Sequence, residues 1–212
     1  MNRRTEPYIW VTWITGLLAG DKHCEWAAWF RANHQDFPKL PRDTNLAVWK
    51  AEHGEMLRAR VEALKADPQW TVYVENQNKF TIHGKSAVLA GQADIVTISK
   101  DQALVIDCKT GQPRDSDIFQ VLVYMLVLPF AHPACLGQTM TGELQYKGSS
   151  VVIPPQRLTP DVKALIRSTI QRVSGEEPRK TPSFDECQYC DLAGCPERME
   201  QDARMVVAEG LF

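Results

Sequence analysis

The chain has 212 residues, with 24 Lys and Arg against 26 Asp and Glu and a hydrophobic fraction of 44%. That length supports one domain with a full core, alone or with a small appendage. A formal net charge of −2 excludes a global basic field, so any nucleic-acid surface must be local. No internal repeat or low-complexity segment is present.

The first segment, "MNRRTEPYIWVTWITGLLAG", has the early Arg pair and apolar run of a signal peptide. Glu6 and Pro7 interrupt its basic start, and its Trp and Thr residues read as a packed strand or the start of a helix. Residues 22–34 read as a helix, with Asp21 as a possible N-cap and Trp26, Trp29 and Phe30 on it. Residues 44–66 read as a second helix, capped by Asp43 or Thr44 and stopped by "ADP". Residues 70–110 are rich in Val, Ile and Thr and broken by "ENQN", "HGK" and "SKDQ", the pattern of successive strands. Residues 116–128 form a short, almost wholly apolar helix; the run "VLVYMLVLPF" is too short to span a bilayer and ends at Pro129. "GELQYKG" and "SSVVIPP" give two more strands, and residues 160–173 an amphipathic helix. From about residue 175 the composition shifts to Pro, charge and cysteine. The expected fold is mixed α/β, a central sheet flanked by helices. The expected organisation is a core over residues 1–174 and a cysteine-rich segment over 175–212. No membrane association is expected, and a cytoplasmic location is the default.

The chemistry concentrates where two strands meet. Strands 91–98 and 103–109 flank "SKDQ", and a four-residue loop pairs Ile98 with Ala103. That register sets Asp94 opposite Asp107, with Cβ atoms about 5 Å apart, where like charges destabilise. Two half-buried carboxylates must share a proton or hold a cation. Lys109 projects from the face of Asp107, because side chains alternate along a strand. A buried salt-bridge cluster is the plainer reading of the same residues. On the next helix Gln120 and Tyr124 are one turn apart among apolar neighbours. A buried Gln needs a polar partner, in the site or on the backbone.

"GQADIV", "VIDCKTG" and "FQVLVY" stand in the order and spacing of the RecB-like branch of the PD-(D/E)xK nucleases, which this chain resembles over residues 91–124. The resemblance implies a restriction-endonuclease-like fold, with a mixed central sheet. It implies that Asp94, Asp107 and the backbone carbonyl of Cys108 bind Mg2+ or Mn2+, and that Lys109 orients or activates the attacking water. Gln120 and Tyr124 would position the DNA strand beside the metal. It also implies a histidine from an earlier helix as a further metal ligand. His53 lies at the centre of a stripe with Leu46, Trp49, Met56, Leu57 and Leu64, while Glu55 falls on the opposite, solvated face. The chain departs from the family here: the usual Gly precedes the His by four residues, whereas Gly54 follows His53.

Six cysteines remain to be placed. Cys108 and Cys135 read as bystanders. Cys187, Cys190 and Cys195 form a C-x2-C-x4-C run, a spacing suited to zinc or an iron–sulfur cluster; disulfides are disfavoured in a cytosolic chain. One upstream cysteine, Cys24, plus three near the C-terminus resembles the iron–sulfur staple of RecB-like nucleases, including AddB-type and CRISPR-associated members. The resemblance implies a 4Fe–4S cluster clipping the first helix to the tail, with four-thiolate Zn2+ as the competitor. The expected activity is exonucleolytic DNA hydrolysis at single-stranded ends, with the protein partner unspecified. Two other classes compete: a non-catalytic module that binds DNA or a partner through the same fold, and a redox or zinc protein in which the cysteines are the function.

Overall fold

Alternation along two neighbouring strands builds this fold. In the computed structural model, which describes residues 1–41, 46–100 and 102–199, strands β7 (Ile95–Ile98) and β8 (Ala103–Lys109) pair antiparallel, with Ile98 against Ala103 and Ile95 against Ile106. Val96 and Val105 turn to one face and join the main core; Ile95, Ile106 and Cys108 turn to the other and join a second cluster. Helix α3 (Leu46–Lys65) covers the second face with Leu57 and Leu64. Helix α4 (Asp115–Ala131) covers the first, and α1 (Val11–Ala19) packs on α4.

The main sheet has five strands. β9 (Met140–Tyr146) pairs parallel with β8, β10 (Ser149–Ile153) closes one edge, and β4 (Thr71–Val74) the other, in the order β10-β9-β8-β7-β4. A separate three-stranded sheet holds β2 (Tyr8–Trp10), β6 (Val88–Gln92) and β5 (Lys79–His83), and a short ribbon joins β1 (Asn2–Arg3) to β3 (His34–Gln35). The architecture is the expected mixed sheet flanked by helices. The N-terminal apolar run becomes β2 followed by α1, and Ile9, Val11 and Ile14 are fully buried.

Three expectations need correction. Residues 91–98 are not one strand: the chain leaves β6 after Gln92, enters β7 at Ile95, and changes sheets at Ala93 and Asp94. The fully buried Asn78 amide fixes this switch, donating to the carbonyls of Tyr73 and Ala93 at 2.9 and 3.2 Å. Helix 116–128 does not end at Pro129 but continues to Ala131; a proline in a last turn breaks little. The helix foreseen over 22–34 is α2 (Glu25–Asn33), and Asp21 does not cap it. Instead the Glu186 carboxylate accepts from the N–H groups of His23 and Cys24 at 2.9 and 3.1 Å. The caps foreseen at Asp43 and Thr44 lie outside the described residues.

Helix α5 (Pro160–Ser174) starts on a Thr159 cap and packs on α1 and α2. The segment beyond it folds back over α2. Trp29 and Trp26 donate their indole N–H groups to the Gly175 carbonyl and the Glu177 carboxylate. Arg31 pairs with Asp191 at 2.6 Å, and Lys39 bridges to Leu192. One short helix, α6 (Phe184–Cys187), brings Glu186 to its capping position.

Gly142 lets α4 lie close on β9. A Cβ there would collide with Val121 and would stand 2.8 Å from the Met125 sulfur. Gly142→Ala should cost about 1–3 kcal/mol of stability, the range for overpacking. Because Val121 follows Gln120, the same substitution should also displace Gln120. An unchanged melting temperature would show that α4 has room to shift.

Candidate active site

At the end of β8 the backbone delivers Asp107 to the face covered by α4. Its side chain is only 3% exposed. The Lys109 ammonium stands 2.6 Å from Asp107 Oδ2 and donates to Gln120 Oε1 at 2.8 Å. Gln120 donates to Asp107 Oδ1 at 2.9 Å and to the Tyr124 hydroxyl at 3.1 Å. Tyr124 donates onward to the Gln92 carbonyl at 2.9 Å. Helical spacing puts Gln120 and Tyr124 on one face, and strand alternation puts Asp107 and Lys109 against it.

Asp94 sits at the sheet switch, one position past the last β7–β8 pair, Ile95 with Ile106, where the expected register runs on to Asp107. Its Oδ2 accepts from the Cys108 backbone N–H at 2.7 Å and lies 3.1 Å from His53 Nε2. Lys109 therefore forms its ion-pair cluster with Asp107 and Asp117 in place of Asp94. It pairs with Asp107, while Asp94 is held by His53 and the backbone. Cys108 contributes that N–H, and its own thiol is pushed up to about 12 by burial and neighbouring acids, which leaves it inert.

Only part of the α3 stripe is core. Leu57 and Leu64 are buried, but Leu46 and Trp49 are 58% and 48% exposed. The C-terminal half of α3 packs on Ile95 and Ile106, while Trp49 and His53 both line the cleft. The Trp49 and His53 rings stack at 5.2 Å with 21° between planes. Glu55 is exposed, as its position on the helix predicts. Arg60, one turn beyond Met56, pairs with the buried Glu143 of β9 at 2.8 Å, a second polar tie between α3 and the sheet.

These residues line one cleft of about 820 Å³. Four carboxylates, Glu75, Asp94, Asp107 and Asp117, face three fixed cations, Lys50, Lys109 and Arg114. Burial holds the Asp107 carboxyl above the ordinary range, the Lys109 charge pulls it back, and the Asp94 charge adds to the rise. Burial pulls the Lys109 proton affinity down, but Asp107, with Asp117 and Asp94, outweighs it, so the amine stays an ammonium. Tyr124 is raised chiefly by burial.

Asp117 and Tyr146 were not singled out in the sequence. Asp117 Oδ1 is 4.0 Å from Lys109, and the Tyr146 hydroxyl donates to Asp117 Oδ2 at 3.0 Å. Asp117 precedes Gln120 by three residues and Tyr124 by seven, the same helical face, and that spacing was the available signal.

A divalent cation can be tested against this donor set. Among the described residues, no three His, Cys, Asp or Glu side chains form a ready coordination sphere. Mg2+ needs less, because it keeps several waters and uses one or two carboxylates. Asp107 Oδ2 is buried and has no donor in hydrogen-bond geometry, although the Lys109 charge is beside it. Two carboxylates, Asp94 and Asp107, lining one cleft are a donor set that fits a hard, largely hydrated cation.

The four cysteines foreseen as a set lie apart from this cleft. Cys24, Cys187, Cys190 and Cys195 line one cavity of about 50 Å³ between α2 and the tail, and none forms a disulfide. The Arg31 guanidinium is 4.0 Å from Cys190 Sγ. Cys135 is fully buried elsewhere, its thiol pushed up to about 11 by burial.

A family model described as the PD-(D/E)XK nuclease superfamily matches residues 17–195. No curated protein is similar enough to match. One solved structure, described as the crystal structure of SSO0001, is similar at 20% identity over 94% of this chain and 90% of that one, with a TM-score of 0.48.

His53 gives a pH signature. Its hydrogen bond to Asp94 raises its affinity for the proton, burial opposes this, and the Asp94 charge adds to the rise. A raised histidine stabilises fully below its unfolded value near 6.5 and loses that contribution as pH rises through the folded value. In chelator, the melting-temperature gap between wild type and His53→Ala should therefore be wider at pH 5.5 than at pH 8.5. An equal gap at both pH values would remove the charged His53–Asp94 pair.

Proposed function

The chain belongs to the PD-(D/E)XK nuclease superfamily, and on that footing we propose that it is a RecB-like, metal-dependent deoxyribonuclease acting on single-stranded ends. The observation that carries the reading is the convergence of Asp94, Asp107, Lys109 and Gln120 on one acid-rich cleft. Phosphodiesters are anionic, and four carboxylates against three cations leave the cleft with an excess of negative charge that a divalent cation would reverse. Asp94 and Asp107 would hold Mg2+ or Mn2+, with the Cys108 carbonyl and His53 as further candidates. When bound, the ion polarises a phosphoryl oxygen and supplies a nucleophilic water.

The chain's own groups divide the remaining work. Lys109 acts as an ammonium: it holds the attacking water in place and offsets negative charge growing on the phosphate. Gln120 fixes Lys109 and Asp107 relative to one another. Tyr124, 1% exposed, reaches a strand only through Gln120, so it is a positioning residue. Asp117 and Tyr146 hold Lys109 from the far side.

The four thiols would hold a 4Fe–4S cluster with a structural role. A single tetrahedral zinc, with Zn–S of about 2.3 Å, draws its four sulfurs into one tight shell. The cavity the sulfurs line, about 50 Å³, has room for more than one water-sized body. The cluster reading is carried by the spacing of Cys187, Cys190 and Cys195 with the upstream Cys24, and four-thiolate zinc is its competitor. A non-catalytic DNA-binding module, in which the acids have no metal to hold, is the alternative.

Cleavage of labelled single- and double-stranded DNA, with Mn2+ and with chelator, tests the activity. Asp107→Ala should lose about a thousand-fold, the scale of several kcal/mol of transition-state charge stabilisation. Gln120→Ala and Tyr124→Phe should lose about ten- to a hundred-fold while keeping Mn2+ affinity. Full activity of Asp107→Ala at saturating Mn2+ would sink the assignment. For the cluster, anaerobically purified protein should be coloured and carry iron and sulfide. Cys24→Ser should be pale and much less heat-stable, since thiolate-site binding energy is folding energy on the order of 10 kcal/mol. Cys135→Ser should match the parent. Stoichiometric zinc without sulfide in a fully active preparation would replace the cluster with zinc.

A further inference from the structure

We propose that Trp49 is a stacking platform for an unpaired base of the substrate, a positioning residue that selects single strands. The inference rests on the nuclease reading of the cleft and names what the cleft recognises beyond a phosphate. Trp49 is on the cleft-lining part of α3, with His53, Asp94, Asp107 and Lys109 in the same cleft. The indole lies nearly parallel to the His53 ring, which takes up one of its faces and fixes its orientation. Its surface is still 48% exposed, and it is one of two indoles in the lining, the other being Trp10.

Trp49 shares the stripe of Leu57 and Leu64 but lies beyond the part of α3 that packs on Ile95 and Ile106, so the same face that is core farther along the helix projects over the cleft here. A ring held rigid from behind loses little further entropy on binding a flat partner. Every base has a π-face, so such a platform accepts any sequence. Inside a duplex both faces of each base are covered by its stacked neighbours, so the platform discriminates against internal duplex positions. Lys50, the next residue, lines the same cleft and gives a phosphate of the stacked nucleotide a cation.

The test uses the full chain and short oligodeoxynucleotides, intact or with one abasic residue moved along the strand. Binding is measured with Ca2+ and cleavage with Mn2+, for wild type, Trp49→Ala and Trp49→Phe. Trp49→Ala should raise KM for single strands about ten-fold, within the range for one stacked base, with kcat nearly unchanged. Trp49→Phe should recover most of the loss. One abasic position should weaken wild-type binding by a similar factor and leave Trp49→Ala unaffected. Equal abasic sensitivity in both proteins, or a loss of kcat with KM unchanged, overturns the platform in favour of simple support of His53. If Trp49→Ala fails to fold, Trp49→Leu takes its place. Wild type that shows the abasic signature but cuts nothing would sink the nuclease reading and leave the platform standing.

Discussion

A carboxylate that solvent barely reaches sets the terms for its surroundings. Asp107 is 2% exposed, and an isolated charge so placed would be strongly disfavoured. The fold answers from three directions. β8 itself brings Lys109 two residues on, α4 brings Gln120, and Gln120 is held by Tyr124, which is held by the backbone of β6. Remove any one and the next loses its partner. α4 must therefore lie close to the sheet, and Gly142 permits that approach. The Asp107 oxygen that lacks an aligned hydrogen bond stands 2.6 Å from the Lys109 ammonium, so its charge is met by an ion pair.

Much of this was legible in the sequence, for a definite reason. Period two along "LVIDCKTG" and helical spacing in "FQVLVY" depend only on local geometry, and both placed their side chains correctly. The β7–β8 register followed from loop length. What could not be read was any arrangement made by residues distant in sequence. The switch at Ala93 and Asp94 depends on Asn78, sixteen positions earlier than Asp94, inside a stretch that reads as a mere strand breaker. The cap of α2 comes from Glu186, not from nearby Asp21, because a distant carboxylate with two N–H partners outcompetes a local one. The α3 stripe misled because periodicity shows which residues share a face, and cannot show where the supporting sheet ends.

The site and the thiol cavity are separate devices joined by helices. α3 carries His53 and Trp49 to the cleft, and is tied to the sheet at two polar points, His53 with Asp94 and Arg60 with Glu143. α2 carries Cys24 to the tail and is enclosed by it through Trp26, Trp29 and Arg31. Among the described residues the cleft lining and the thiol-cavity lining share no residue. Chemistry and cohesion can therefore vary independently: changes in the cleft leave the tail contacts in place.

The cap on α2 has a consequence for how the molecule is made. His23 and Glu186 are 163 residues apart. At synthesis rates of about 5–20 residues per second, the second helix emerges roughly ten to thirty seconds before its capping carboxylate exists. Throughout that interval its first N–H groups have only water, and its tryptophans lack the carbonyl and carboxylate that later receive their indole N–H groups. The amino-terminal end of the chain thus finishes last, when the carboxyl-terminal end arrives. A ribosome-bound nascent chain would hold the sheet and α4 in place while leaving that aromatic surface open.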